Sequence, residues 1–136
     1  MKKLIYALLL FAALIIAFQT INAGTAYKSD QAVLSFEELN YDFGKVSQGE
    51  VLEHLFRFTN TGKDNLIIQS VQPACGCTGA SIGDKKEFLP GESGEIKVTF
   101  NTEGREGINS KTISVASNDP NHPGITLSFV CEILKK

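Results

Sequence analysis

The sequence has no tryptophan, one methionine, two histidines, three cysteines and four prolines. Three cysteines are too few for a disulfide-dense scaffold or for an all-cysteine zinc site. With two histidines, a histidine general base must be His54 or His122. His54 lies on the phenylalanine-bearing face of its segment and reads as a core or rim residue; His122 sits in a proline-rich turn. No Gly-x-Ser-x-Gly, His-Glu-x-x-His or phosphate-binding loop is present, and no spacing of acidic residues implies a catalytic carboxylate pair. The chain is therefore expected not to be an enzyme, with no catalytic residue and no cofactor. Lysine and arginine are scattered, without the basic run that tracks a nucleic-acid backbone, so nucleic acid is excluded as a partner.

Long apolar runs are also scarce. The single one, Leu4–Phe18, is about 15 residues long and falls short of the ~20 that a membrane span needs. Lys2 and Lys3 precede it, and "QTINAG" follows, with the small Ala23 at the place where a signal peptidase cuts. Charge, apolar stretch and small residue in this order make a secretory leader. The expectation is a signal peptide over residues 1–23, a polar lead-in over 24–32 and one domain over 33–136. The mature protein is then periplasmic or secreted, without a membrane span, and no cysteine near the cut offers a lipid anchor. Removing Lys2 and Lys3 reduces 13 basic residues to 11 against 15 acidic ones, a net charge of about −4 suited to ordinary solubility.

In the rest of the chain the apolar period is two, not 3.6. "VLSF" (33–36) is a short first strand. "NYDFGKVSQGE" (40–50) holds a second, interrupted at Gly44 and turning at Gly49. In "VLEHLFRFTN" (51–60), Leu52, His54, Phe56 and Phe58 share one face. "NLIIQSVQ" (65–72) has two competing apolar rows, Leu66 with Ile68 and Ile67 with Val71, so it is buried on both faces or bulged. "EIKVTF" (95–100), "KTISVAS" (111–117) and the row Ile125, Leu127, Phe129, Cys131, Ile133 complete the set. About seven strands separated by Gly, Pro, Asn and Asp turns predict an all-β fold, an immunoglobulin-like antiparallel β-sandwich. The missing tryptophan and inter-sheet cystine set it apart from antibody domains.

The chemistry-bearing stretch is "PACGCTG" (73–79). In an extended chain the Cα atoms of Cys75 and Cys77 lie roughly 6.6 Å apart, at the upper edge for a disulfide; a turn at Gly76 brings them closer. So small a ring contributes about 1.6 kcal/mol by loop entropy, which makes it a poor staple and a reducible group. A bond from Cys131 to Cys75 or Cys77 closes a loop of about 55 residues and is worth roughly 4 kcal/mol. Cys131 also reads as a small buried hydrophobe. Two thiolates, Cys75 and Cys77, can alternatively hold a soft metal ion. A shaped turn without chemical duty is the remaining possibility.

"YDFGKVSQGE", "FRFTNTG", "PACGCTG", "LPGESGEIKVTF" and "ISVASNDP" together resemble a family of secreted bacterial proteins defined only as domain of unknown function 1573. The resemblance runs from residue 33 to 134, and Cys-Gly-Cys-Thr (Cys75, Gly76, Cys77, Thr78) is its most specific element. "SNDP" and "FTNTG" are shared more loosely with Hydin-type and major-sperm-protein-like domains, which are protein-binding Ig-like sandwiches. The resemblance implies a seven-stranded Ig-like fold in the periplasm of Gram-negative bacteria and supplies no activity. The expected function is a structural or protein-binding module whose contacts come from edge strands and the loops at Cys75, Arg105 and His122. The alternative is a thiol–disulfide or soft-metal protein centred on Cys75 and Cys77.

Overall fold

Alternating apolar rows bury one face of each strand when two sheets stack, and that is how this chain folds. The computed structural model describes residues 30–136; the leader and residues 24–29 of the lead-in lie outside the described residues. Nine strands follow in order: β1 (Leu34–Phe36), β2 (Asn40–Ser47), β3 (Val51–Asn60), β4 (Leu66–Pro73), β5 (Thr78–Ser81), β6 (Glu87–Phe88), β7 (Ser93–Asn101), β8 (Gly107–Ser117) and β9 (Gly124–Leu134). One sheet has the order β1-β3-β7-β5 and the other β2-β9-β8-β4-β6. The core between them contains Phe56, Phe58, Phe100 and Phe129 together with Leu66, Ile68, Ile96, Val98, Ile113, Val115 and Leu127, all buried.

Two features differ from the expected seven-stranded antiparallel arrangement. The additional strands are β5 and β6, four and two residues long. "TGAS" and "EF" are too short to show a period, and only their neighbours β7 and β4 make them strands. The second difference is direction, because β2 runs parallel to β9. The chain leaves the first sheet after Phe36 and joins the second at Asn40, with Ser128 N–H donating to Leu39 O across the crossing (2.8 Å). Local alternation reports which face a residue takes, not which strand it pairs with or in which sense.

The competing rows of the fourth strand are reconciled by a bulge. Ile68 pairs with Ser117, but Ser70 pairs with Ala116, so one extra residue, Gln69, is accommodated. Leu66 and Ile68 point inward before it and Val71 packs against the core after it, while Ile67 is left exposed. A second bulge interrupts β2 between Asp42 and Lys45, where Gly44 takes a φ of 67°. The Asp42 carboxylate accepts the Gly44 N–H there (2.7 Å).

The end of the lead-in packs on the domain. Ala32 is buried, and Gln31 O accepts the Lys63 N–H (3.0 Å). This segment lies directly against Gly62, where an added Cβ meets Gln31 O at 2.1 Å and Val33 N at 2.6 Å. No side chain fits at that position without displacing backbone.

Candidate functional site

The "PACGCTG" segment is the connection between β4 and β5, and so between the two sheets. Ala74 N–H donates to Thr112 O (3.0 Å), Thr78 N–H to Cys75 O (3.3 Å) and Asn101 N–H to Cys77 O (3.4 Å). These bonds hold a tight turn in which Cys75 and Cys77 are joined as a disulfide, with Cα atoms 5.4 Å apart. Both cysteines are half-buried and Gly76 is exposed at the apex. Thr78 is buried beneath them, its hydroxyl 3.5 Å from Cys75 Sγ and 3.9 Å from Cys77 Sγ. Across the ladder from Thr78 stands Phe100, with the Arg105 guanidinium and the Lys111 ammonium 5.6 and 5.8 Å from its ring centre. Two cations thus stand at the end of the sandwich that carries the disulfide.

Cys131 does not join this group. It is a free thiol in the buried row of β9 and bonds to neither Cys75 nor Cys77, so the long 55-residue loop is not closed. Burial, reinforced by the Asp42 carboxylate and only partly offset by Lys111, pushes its thiol above the ordinary range. A neutral thiol in that row packs as a small hydrophobe. The disulfide also leaves no thiolate at Cys75 or Cys77 for a soft cation; metal binding there requires the reduced pair. Among the described residues no three His, Cys, Asp or Glu side chains are grouped as a metal site.

Gly76 departs from its expected role as the residue that makes the turn possible. Its φ is not in the left-handed region, and an added Cβ meets nothing within 4 Å. Gly76→Ala is therefore expected to change unfolding free energy by less than about 0.5 kcal/mol, while Gly62→Ala costs several kcal/mol through backbone clash. Urea unfolding of the two variants side by side checks both. A large loss at Gly76 contradicts an open, unstrained apex.

The two histidines stand elsewhere, while Arg105, at the disulfide end, is tied to the main chain. The His54 ring stacks on Tyr41 (3.6 Å between centres) and its Nε2 bonds Glu38 Oε1 (2.7 Å). It joins β3 to β2 and the crossing segment, as a rim residue. His122 is exposed, its Nδ1 3.8 Å from Asp119 Oδ2. Arg105 donates from Nε to Asn101 O (3.2 Å).

Two residues escaped the sequence reading although they lie within recognised motifs. Asn60, in "FTNTG", is fully buried. Its Oδ1 accepts the N–H groups of Gly62 (3.0 Å) and Val33 (3.3 Å), and its Nδ2 donates to Asp64 O (2.8 Å) and Phe88 O (3.0 Å). Asp119, in "SNDP", is equally buried. Its carboxylate accepts the N–H groups of Leu34 (3.0 Å), Asn121 (2.9 Å) and His122 (3.2 Å). Burial raises its pKa, but these three donors and nearby His122 outweigh burial and hold the group below the usual carboxylate range. The available signal was an Asn or Asp closing an apolar row at a turn, a position where these side chains bond neighbouring backbone.

Two stacked sheets, with the chain passing from one to the other between β1 and β2, make an immunoglobulin-like β-sandwich. Solved structures agree on the fold. A protein of unknown function from Porphyromonas gingivalis W83 matches with a TM-score of 0.67 at 23% identity, over 81% of this chain and 51% of its own. This chain therefore spans about half the length of that relative. The PapD-like domain 7 of human CEP192 matches at 0.61 and 12% identity, over 80% of this chain and 90% of its own. SSP-19, an MSP-domain protein like family member in Caenorhabditis elegans, matches at 0.50 and 8% identity, over 73% and 97%. None of the curated proteins matches this chain. Residues 34–133 fit the family model described as protein of unknown function, DUF1573, and the chain belongs to that family.

Proposed function

We propose that this protein acts outside the cytoplasm, after removal of its leader, as a non-enzymatic protein-binding sandwich. The observation that carries this reading is the use made of the buried polar side chains. Asn60, Thr102 and Asp119 all bond main-chain groups of loops and strand ends. That is how a rigid scaffold presents edges and loops for contact. The PapD-like and MSP-like neighbours support the same reading at the level of fold. Purification of partners from a periplasmic extract on the immobilised protein tests it; recovery of no specific partner, together with turnover of a substrate, overturns it.

A thiol–disulfide role is the second reading, favoured by the half-buried Cys75–Cys77 pair under an exposed glycine. Disulfides spanning small, accessible rings are the more readily reduced ones. The expected result of alkylating the native protein after mild reduction is two added groups, on Cys75 and Cys77. Cys131 gains a third only after denaturation, because it is buried in the core. Intact mass reads the count and peptide mapping the positions. Resistance of Cys75 and Cys77 to mild reduction in the folded protein removes the redox reading and leaves the binding one standing.

A further inference from the structure

Edges of β-sheets invite pairing, and stable proteins guard them with charge, bulges or very short strands. Most edges here are guarded. β1 has three residues and β6 two, while β2 carries a bulge with Asp42 folded onto it and Lys45 beside it. The side formed by β4 and β5 is different. β5 is the outermost strand of its sheet, and β6 covers β4 only at Leu66 and Ile67, with one further bond from Ile68 N–H to Lys86 O (2.9 Å). From Leu66 to Gly83 the chain has 18 consecutive residues without a charge, although 21% of all residues are charged.

These two edges face one open cleft of about 340 Å³, lined by Ile68, Val71, Ala80 and Ile82, with Asp84 and Lys86 also on its wall. Antiparallel pairing turns alternate residues toward and away from the partner strand. Ala74 N–H bonds Thr112 O, so Gln72 also faces β8 and Val71 turns its N–H and C=O outward. Asn101 N–H bonds Cys77 O, so Gly79 and Ser81 face β7 and Ala80 turns outward. Val71 and Ala80 therefore present main-chain donors and acceptors beside apolar side chains, the two ingredients of recognition by strand addition. The four-residue connection 74–77, closed by the Cys75–Cys77 bond, joins the two walls.

We propose that this cleft is a docking site for an extended, uncharged peptide segment of a partner protein, which adds as a strand along the outward edges at Ala80 and Val71. The inference rests on the protein-binding reading above and names the surface that performs it. The walls from Leu66 to Gly83 offer no charge to pair with, and Asp84 and Lys86 at the margin are of opposite sign. A charged side chain buried against these walls goes uncompensated, so a neutral segment is selected. Small apolar side chains of the segment enter between Ile68, Val71, Ala80 and Ile82.

The probe is a library of random linear twelve-residue peptides displayed on phage and selected on protein purified from cells expressing the full chain. A selected peptide is then titrated into the ¹⁵N-labelled protein. The expected footprint is slowed amide exchange and shifted resonances confined to residues 69–73 and 79–83. Ala80→Pro removes the outward N–H while leaving the β7-facing bonds of Gly79 and Ser81. It is expected to weaken binding about tenfold or more, and Lys45→Glu on the opposite edge to leave it unchanged. The wild-type footprint decides the matter even where Ala80→Pro fails to fold. A footprint on β2 or on the outer sheet faces overturns the cleft assignment but leaves the binding reading intact. No selectable peptide overturns the cleft assignment as well, and only an additional failure to recover any protein partner removes the broader reading.

Discussion

Replacing Asn60 by alanine is expected to destabilise the protein by about 4 kcal/mol, with a fall in Tm of roughly 20 °C. The size of the effect follows from what the side chain touches. Four bonds end on Asn60, and their partners come from the segment before β1, the β3–β4 turn and the end of β6. Its own main chain adds two more, Asn60 N–H to Glu92 O (2.9 Å) and Gly91 N–H to Asn60 O (2.7 Å). Alanine keeps the main-chain pair, strands the buried Phe88 O, and leaves the half-buried Val33 and Gly62 N–H groups without their acceptor. Each buried group left unmatched costs about 1–3 kcal/mol, a large fraction of a stability of ~5–15 kcal/mol. Asn60→Asp is expected to be nearly as damaging, because it turns a carboxylate oxygen toward the carbonyls of Asp64 and Phe88. Thermal and urea unfolding measure both variants. A loss below about 1 kcal/mol for Asn60→Ala contradicts a bracketing role for this side chain.

The second large effect is at Asp119, and it depends on pH. A carboxyl group whose folded pKa lies below its unfolded value of about 3.9 stabilises the protein fully above that value. The contribution is lost as pH falls through the depressed folded pKa. Asp119 is such a group, since its three main-chain donors hold it down against burial. At neutral pH, Asp119→Ala is expected to cost about 3 kcal/mol, and Asp119→Asn about 2 kcal/mol. Asparagine retains one acceptor oxygen and sets an amide donor against the Leu34 N–H or against the pair from Asn121 and His122. The distinguishing result is the pH profile. Urea midpoints of wild type and Asp119→Asn should differ most near pH 7 and converge once the pH falls well below 4. A gap independent of pH over that range shows that the carboxylate charge contributes nothing.

Both residues show where sequence reading stops. The inward row of β9 is visible in Leu127, Phe129, Cys131 and Ile133 because a strand's period is a local property, and all four are buried. The same holds for Leu52, Phe56 and Phe58 of β3, with His54 at the rim of their face. The clash of rows in β4 was legible as a choice between double burial and a bulge, and only the pairing with β8 decides it. Asn60 and Asp119 instead draw their importance from segments far along the chain. Leu34 lies 85 residues from Asp119, and Phe88 lies 28 from Asn60. Turn chemistry predicts an Asn or Asp at such positions and is silent about which distant main chain closes over it.

The candidate site divides in the same way. Proximity of Cys75 to Cys77 follows from spacing alone, and the structure joins them. That the pair sits where one sheet passes to the other depends on β5, a strand whose four residues carry no readable period. Gly76 was expected to shape the turn, yet the backbone there asks nothing of glycine.

The parallel contact between β2 and β9 bears on how the chain folds during synthesis. β9 lies inside its sheet, between β2 and β8, and is the last described strand to emerge from the ribosome. At ~5–20 residues per second, the segment from β2 to β8 waits several seconds before its central neighbour exists. Through that interval β2 has no partner, and Phe100 lacks Phe129, the ring it meets in the finished core. Pairings between segments so far apart in the chain make for slow folding. The second sheet is thus completed last: β2 takes its final place only when Gly124–Leu134 arrives, and until then its apolar row is substrate for any chaperone within reach.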